Sequence, residues 1–270
     1  MLIDTHCHIN MMIKSKFDVL LTPEQVKTAQ SIINDAHANE VTALINVGTS
    51  FIESKNCVML AQSFPSVFAT VGIHPNDADE QWRDQLKAFE ELLKDKEQNK
   101  IVGIGETGID RHYPDYNLQL QVDAFRAQIE LALAHDVGLV IHSRDAYDET
   151  LRVLEEYARH EPRAVMHCFS YDQTFADQVI SWGFKIGIGG TVTYPKNEEL
   201  RSVVKAVRLS DMVLETDAPF LPIQSMRGQK NAPQYIKSIA EFIAELRMQP
   251  FDDVAVETSN AAQILFNLVQ

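Results

Sequence analysis

The sequence predicts an α/β protein that folds as a (β/α)8 TIM barrel, with a single domain spanning residues 1–270. Short apolar runs alternate with longer helical patterns from one end of the chain to the other. Eight β/α units fit the usual barrel length of about 250 residues, and no low-complexity linker divides the 270-residue chain. An open doubly wound sheet is the alternative. Such sheets usually have fewer strands, and no GxGxxG motif follows the first apolar run.

The predicted strands are short runs of β-branched and apolar residues. They recur at intervals of roughly 20 to 40 residues, which leaves room for a helix after each strand. In chain order the strands cover Leu2–His6, Ala43–Val47, Val67–Ile73, Ile101–Gly105, Leu139–His142, Ala164–His167, Phe184–Ile188 and Met212–Glu215.

Helix signals lie between and after these strands. Thr22-Pro23-Glu24-Gln25 combines an N-cap threonine, a proline at the first helical position and a capping-box glutamine. Asn117–His135 carries apolar residues at a spacing of about 3.6 residues, which is typical of a helix with one buried face. Similar patterns cover Asp145–Tyr157 and Pro233–Leu246, and Phe251–Leu268 predicts one or two closing helices.

Composition and charge limit the classes of partner. Hydrophobic residues make up 45% of the chain and charged residues 23%, as in ordinary soluble proteins. The 38 acidic and 24 basic side chains give a formal charge of -14, which argues against a broad basic surface for duplex DNA or an anionic membrane. The 3 cysteines form no CxxC pair, and no apolar run reaches membrane-spanning length. We therefore predict a cytoplasmic protein without membrane association.

The first strand ends in Asp4-Thr5-His6-Cys7-His8. Alternate residues of a strand point to the same side, so His6 and His8 present two imidazoles together. In a (β/α)8 barrel the chemistry lies at the C-terminal ends of the strands, and further metal-ligand residues follow four later strands. The candidate ligands are His6, His8, Glu106, His142, His167 and Asp217.

Each of these residues has a simpler interpretation when taken alone. A histidine after an apolar run is commonly a hydrogen-bonded core residue, and an acidic residue at a strand end is commonly a helix N-cap. The agreement of five strand ends under one fold favours a metal site. Four imidazoles and two carboxylates suit divalent Mg, Mn, Zn or Ni, and no thiolate is required.

Six ligands exceed what one tetrahedral zinc ion with an open position needs, so we predict two divalent ions per chain. Two ions roughly 3.5–4 Å apart can share a hydroxide nucleophile. Glu106 and Asp217 are the predicted catalytic residues, since Asp217 borders the nucleophile and can accept a proton from the attacking water. The assignment places His6, His8 and Asp217 on one ion, His142 and His167 on the other, and Glu106 between them.

Three further residues are candidates for binding substrate. His74 ends the third strand in Gly72-Ile73-His74-Pro75, where contact with substrate and contact with a loop both stay open. Arg144 follows His142. Arg227 lies in Met226–Asn231 after the eighth strand, where barrels often bind phosphate, and its guanidinium suits bidentate phosphate contact. The alternative for that segment is a solvated basic loop.

These segments together resemble the TatD family of metal-dependent hydrolases, often called TatD-type deoxyribonucleases, among the amidohydrolase-like barrels. The resemblance implies metal ligation by the same six residues and phosphodiester hydrolysis, at DNA ends. Tyr171 and Ala232 depart from the residues common in the family, which bears on substrate preference. The matching segments are Ile3–His8, Gly72–Pro75, Gly105–Asp110, Ile141–Ala146, Met166–Ser170, Glu215–Pro219, Arg227-Gly228 and Thr258–Phe266.

The preferred hypothesis is a two-metal deoxyribonuclease that acts as an exonuclease on DNA ends or single-stranded DNA. A chain with charge -14 should contact few phosphates, mainly through its metals. The alternative is an amide or ester hydrolase of the amidohydrolase type acting on a small or aminoacyl substrate. A non-catalytic binding module that retains its metals is a third possibility. Such a module would have little need of the complete ligand set, which argues against it. No obligate protein partner is evident, and we predict a monomer.

Overall fold

Eight parallel strands follow one another around the sheet in chain order, which confirms the predicted (β/α)8 barrel. The structure is a computed structural model and describes residues 1–268. The strands are β1 (Leu2–Cys7), β2 (Val41–Asn46), β3 (Val67–Val71), β4 (Ile101–Asp110), β5 (Gly138–Arg144), β6 (Ala164–Met166), β7 (Lys185–Ile188) and β8 (Met212–Leu214). Residues just beyond β8 close the barrel by hydrogen-bonding to the end of β1. The amide of Asp217 donates to the His6 carbonyl at 2.8 Å, and the amide of His8 donates to the Ala218 carbonyl at 2.7 Å.

Helices cover the outside of the barrel. Thr22 caps the second helix as predicted, with its side chain accepting from the Gln25 amide and the Gln25 side chain accepting from the Thr22 amide. Among residues 1–268, no helix is both long enough and apolar enough to cross a bilayer. The helices are α1 (Ile9–Met12), α2 (Pro23–Ala38), α3 (Phe51–Ser63), α4 (Trp82–Leu93), α5 (Lys96–Asn99), α6 (Leu118–His135), α7 (Tyr147–Tyr157), α8 (Gln173–Ser181), α9 (Glu198–Ala206), α10 (Ile236–Arg247) and α11 (Phe251–Phe266).

Strand β4 is longer than the sequence predicts. The predicted strand ends at Gly105, but β4 continues to Asp110 because it pairs with β5 again after a register shift between Ile104 and Thr107. Gly108 permits this pairing. Its φ is 144°, and a Cβ at this position would collide with the carbonyl oxygen of His142. The extension places Glu106 inside the strand and Asp110 at its end.

The core has two apolar layers. The larger layer lies between the strands and the surrounding helices. The smaller layer combines strand residues with the C-terminal half of α11, and its buried members are Ile3, Ile45, Val47, Val140, Val165, Val213, Ala261, Ala262, Leu265 and Phe266. The Phe266 ring packs directly on the backbone of β5, where a Cβ at Gly138 would lie 2.9 Å from its Cδ1.

Replacing Phe266 with alanine is expected to lower the free energy of unfolding by about 3–5 kcal/mol, because the ring is buried and leaves a cavity against the strands. Urea denaturation followed by circular dichroism measures this change. Ile264→Ala on the same helix is the matched control. Its side chain is 69% exposed, so we expect a change within about 0.5 kcal/mol. Equal losses in the two variants would contradict a packing role for Phe266.

Candidate metal centre

The six predicted ligands converge at one end of the barrel. His6 and His8 place their Nε2 atoms 3.1 Å apart. Oε2 of Glu106 lies 3.5 Å from His6 Nε2 and 3.8 Å from His8 Nε2. Oδ1 of Asp217 lies 3.7 Å and 3.4 Å from the same two nitrogens. We call His6, His8, Asp217 and Glu106 Oε2 the first ligand group.

A second ligand group surrounds the other oxygen of Glu106. Oε1 lies 2.8 Å from Nδ1 of His142, 3.6 Å from Nε2 of His167 and 3.7 Å from Nε2 of His74. The rings of His6 and His167 stack with their centroids 3.6 Å apart, so the two groups are adjacent. Glu106 therefore directs one oxygen at each group, as expected of a carboxylate shared by two cations. His74 lies beside the predicted ligands.

Asp110, for which the sequence predicts no role, contacts one of the predicted ligands. It is buried, and its Oδ2 accepts a hydrogen bond from Nε2 of His142 at 3.0 Å. It also accepts from the amide of His112 and the side chain of Asn76. Burial raises the pKa of Asp110, but these hydrogen bonds outweigh that effect and hold the pKa at about 2. An ionised Asp110 fixes the His142 ring so that Nδ1 faces Glu106.

Two other histidines also place their second ring nitrogen close to a protein oxygen. Nδ1 of His167 lies 3.0 Å from Oε1 of Glu215, which also accepts from the Cys168 amide at 2.6 Å. Nδ1 of His8 hydrogen-bonds the carbonyl of Val47 at 2.9 Å. Metal-binding histidines usually direct their second nitrogen to a carboxylate or carbonyl. The donors of both groups therefore fit divalent cations.

Burial and neighbouring charges shift the pKa values of several groups in the centre. Burial raises the pKa of Glu106, but the surrounding histidines bring it well below its usual range. Burial lowers the pKa of His167, whereas the charges of Glu215 and Glu106 raise it to about 10. Burial lowers the pKa of His74 to about 4, so its ring is neutral at pH 7.

Binding of a divalent cation to the second ligand group is expected to release a proton. The pKa of His167 is raised to about 10, so the ring holds a proton at pH 7 that a cation must displace. The apparent affinity should then rise about tenfold per pH unit for each proton released, until the pH reaches that pKa. Calorimetric titration with Mn2+ in buffers of different ionisation enthalpy counts the protons. His167→Gln should reduce the slope of metal affinity against pH. The control His160→Gln, on the exposed surface, should leave that slope unchanged. Equal slopes in the two variants would contradict the assignment of the proton to His167.

Replacing Glu215 with glutamine is expected to weaken metal binding by about 10–100-fold, because His167 loses the carboxylate that orients it. Competition with a fluorescent chelator measures the change for Zn2+ and Mn2+. Glu198→Gln, at an exposed position in the first turn of α9, is the control. If the two variants bind metal equally well, Glu215 has no orienting role.

A cleft of about 670 Å³ opens above the centre. His74 and Arg144, two of the predicted substrate-binding residues, line it. Arg227 lies outside this lining, and its guanidinium is 4.7 Å from the ring centroid of Tyr194. Contact of these residues with substrate stays a prediction. Phe17, Asp18, Asp77 and Phe220 also line the cleft.

The sequence model of the family described as TatD related DNase matches residues 3–267. The chain belongs to the TatD family. An uncharacterised metal-dependent hydrolase of Bacillus subtilis, YabD, is 31% identical over 99% of this chain and 100% of that protein. The 3'-5' ssDNA/RNA exonuclease TatD of Escherichia fergusonii is 29% identical over 93% of this chain and 99% of that protein.

Solved structures agree with the family assignment. The TatD homologue YjjV of Escherichia coli K12 superposes with a TM-score of 0.88 at 29% identity, over 99% of this chain and 98% of that one. A TatD family hydrolase from Entamoeba histolytica, at 18% identity, shares the fold with a TM-score of 0.82. This member of the TatD family is a metal-dependent hydrolase with a (β/α)8 fold.

Proposed function

We propose that this hydrolase is a phosphodiesterase that removes nucleotides from the ends of single-stranded DNA with two divalent cations. The observation that carries the proposal is the position of Glu106 between two ligand groups, with one oxygen directed at each. The name of the Escherichia fergusonii relative, a 3'-5' ssDNA/RNA exonuclease, supports this substrate class. We also propose that the enzyme acts as a monomer of one domain in the cytoplasm.

The first ligand group would hold one cation, and the second would hold the other through His142 and His167. The donors are imidazole nitrogens and carboxylate oxygens, which accept Mg, Mn, Zn or Ni. When bound, such cations polarise a phosphoryl oxygen and lower the pKa of water. The protein positions the donors beforehand, since His8 and His142 each have a second nitrogen hydrogen-bonded to a neighbouring oxygen, and Nδ1 of His167 lies 3.0 Å from the Glu215 carboxylate.

Asp217 is the proposed proton acceptor. Burial raises its pKa, but hydrogen bonding to His8 and the charges of His167 and His6 lower it overall, so the carboxylate is ionised at pH 7. Its side chain is 13% exposed, belongs to the first ligand group and lines the cleft. Arg144 supplies positive charge for a substrate phosphate, and the neutral ring of His74 supplies a hydrogen bond. In this proposal these residues bind and orient the substrate phosphate and accept a proton from water.

Charge around the cleft favours strand ends over long duplexes. Arg144 is the only arginine or lysine among the described residues that line the cleft, and Asp18 and Asp77 lie in the same lining. The net charge of the chain is -14. A substrate held through many phosphates would be repelled by this surface. A strand end that presents one or two phosphates to the cations meets much less of this electrostatic repulsion.

Oligonucleotides labelled at the 3′ or the 5′ end test the proposed activity. Purified protein with Mg2+ or Mn2+ should shorten single-stranded DNA stepwise from one end. The variant His6→Ala/His8→Ala should show no cleavage, because it lacks half of the first ligand group. Cleavage that is equal in the two proteins would identify a contaminating nuclease and reject the proposal.

Hydrolysis of an aminoacyl ester or a small amide is the second candidate. The acidic side chains of Asp18 and Asp77 in the cleft favour it, because they suit a substrate with an amino group. The same cations would polarise a carbonyl in place of a phosphoryl group. Fast turnover of aminoacyl esters by protein that leaves DNA intact would reverse the order of the two candidates.

A further inference from the structure

Two exposed phenylalanines line the cleft beside the metal centre. Phe17 is 65% exposed and Phe220 is 44% exposed, and both belong to the lining of the same cleft. The Phe220 ring lies 5.9 Å from the ring of His8, one of the first ligand group. Exposed apolar surface that lines a groove is a common mark of a ligand-binding site.

The loop that carries Phe17 is held by a buried ion pair. Glu53 is buried, and its carboxylate accepts from Nζ of Lys14 at 2.5 Å and from the Asp18 amide at 2.7 Å. Lys14 also donates to the carbonyl of Val19 at 3.0 Å. These bonds fix the backbone directly after Phe17, at Asp18 and Val19, and tie it to the side chain of Lys14, which precedes Phe17. The aromatic ring is therefore exposed on an anchored loop.

The loop that carries Phe220 is held by a buried amide. Asn231 is buried, and its Nδ2 donates to the carbonyls of Thr216 and Phe220, each at 2.7 Å. The Phe220 amide donates to the Asp217 carbonyl at 2.8 Å. Both loops thus use a buried polar side chain to hold an exposed aromatic ring beside the cleft.

We propose that Phe17 and Phe220 are stacking platforms for the bases of a single-stranded nucleic acid whose phosphate lies at the metal centre. This assignment rests on the proposed function. Aromatic faces bind every base, so such contacts give affinity without sequence preference. An acidic cleft with one arginine binds phosphates weakly. Stacking of bases on the two rings would supply the missing affinity. Anchored loops also lose little freedom when the substrate binds.

Steady-state cleavage of single-stranded oligonucleotides by the metal-loaded enzyme tests the platforms. Phe17→Ala and Phe220→Ala should each raise KM by about 5- to 100-fold. Tyr113→Ala is the matched control, since Tyr113 is 53% exposed but lies outside the lining of the cleft. Substrates with tetrahydrofuran in place of a terminal nucleoside should be poor for the wild type. The phenylalanine variants should discriminate much less between the two substrates. An unchanged KM in both phenylalanine variants would overturn the proposal.

A binding measurement separates failure of the platforms from failure of the nuclease assignment. An oligonucleotide with a terminal 2-aminopurine is titrated with metal-loaded Asp217→Asn protein, with or without each phenylalanine substitution. Quenching that is lost with Phe17→Ala or Phe220→Ala supports stacking, even if the wild type does not cleave DNA. Metal analysis first shows that the parent variant holds both cations. Absence of quenching by that protein then overturns the platforms, whatever the cleavage assay shows.

Discussion

Replacing Glu106 with glutamine is expected to remove both cations and to abolish hydrolysis. Oε2 lies 3.5 Å from His6 Nε2 in the first ligand group, and Oε1 lies 2.8 Å from His142 Nδ1 in the second. A glutamine must place its NH2 group against one of them and carries no charge. Because loss of an outer-sphere partner alone costs about 10–100-fold in metal affinity, loss of the shared carboxylate should cost more.

Metal content per chain, measured by mass spectrometry after dialysis, checks this prediction together with the rate of hydrolysis. The control is Glu155→Gln, the same substitution at an exposed position of α7, which should retain both. If the Glu106 variant loses one equivalent and keeps the other, the carboxylate belongs to a single cation. The shared-ligand arrangement would then be wrong.

The convergence of the six ligands could be predicted because it depends on the fold alone. Residues that follow parallel strands of a barrel lie at the same end. The two histidines at the end of β1 and the polar residues after later strands therefore converge whatever conformation the loops adopt. The same reasoning places His74 and Arg144 beside the cleft.

Residues that orient the ligands depend on pairings that the local sequence does not encode. Asp110 reaches His142 because β4 continues beyond a register shift, which is set by its neighbour β5. Glu215, directly after β8, reaches His167, directly after β6. The loop of Phe17 is fixed by Glu53, far along the chain on α3. Periodicity and capping signals extend over a few residues only, so they carry no information about these contacts.

Arg227 shows how a loop can separate chain position from spatial position. It follows β8 by a short interval, which predicts a place near the phosphate. In the structure its guanidinium lies over Tyr194, in the segment after β7, at 4.7 Å from the ring centroid. A cation over an aromatic face contributes about 0.5–1 kcal/mol at exposed sites. The contact with Tyr194 gives this arginine a position that its place in the chain does not predict.

Replacing Asp217 with asparagine is expected to lower kcat by about 10²- to 10⁴-fold, the usual contribution of a general base. The backbone should tolerate the change, because Asp217 has a φ of 56° and asparagine adopts this left-handed conformation readily. The amide oxygen can still face the first ligand group, whereas the amide cannot accept a proton from water. Binding of substrate should therefore persist while turnover falls.

Asp145→Asn is the matched control for this experiment. Asp145 also has a positive φ, of 54°, and its exposed side chain contacts His112 outside the lining of the cleft. Stopped-flow or gel assays of oligonucleotide cleavage give kcat, and metal analysis shows whether both cations remain. Loss of turnover with metal and substrate binding retained identifies Asp217 as the proton acceptor. Full activity in the Asp217 variant would contradict that role, and a loss of metal equal to the loss of rate would assign Asp217 to ligation alone.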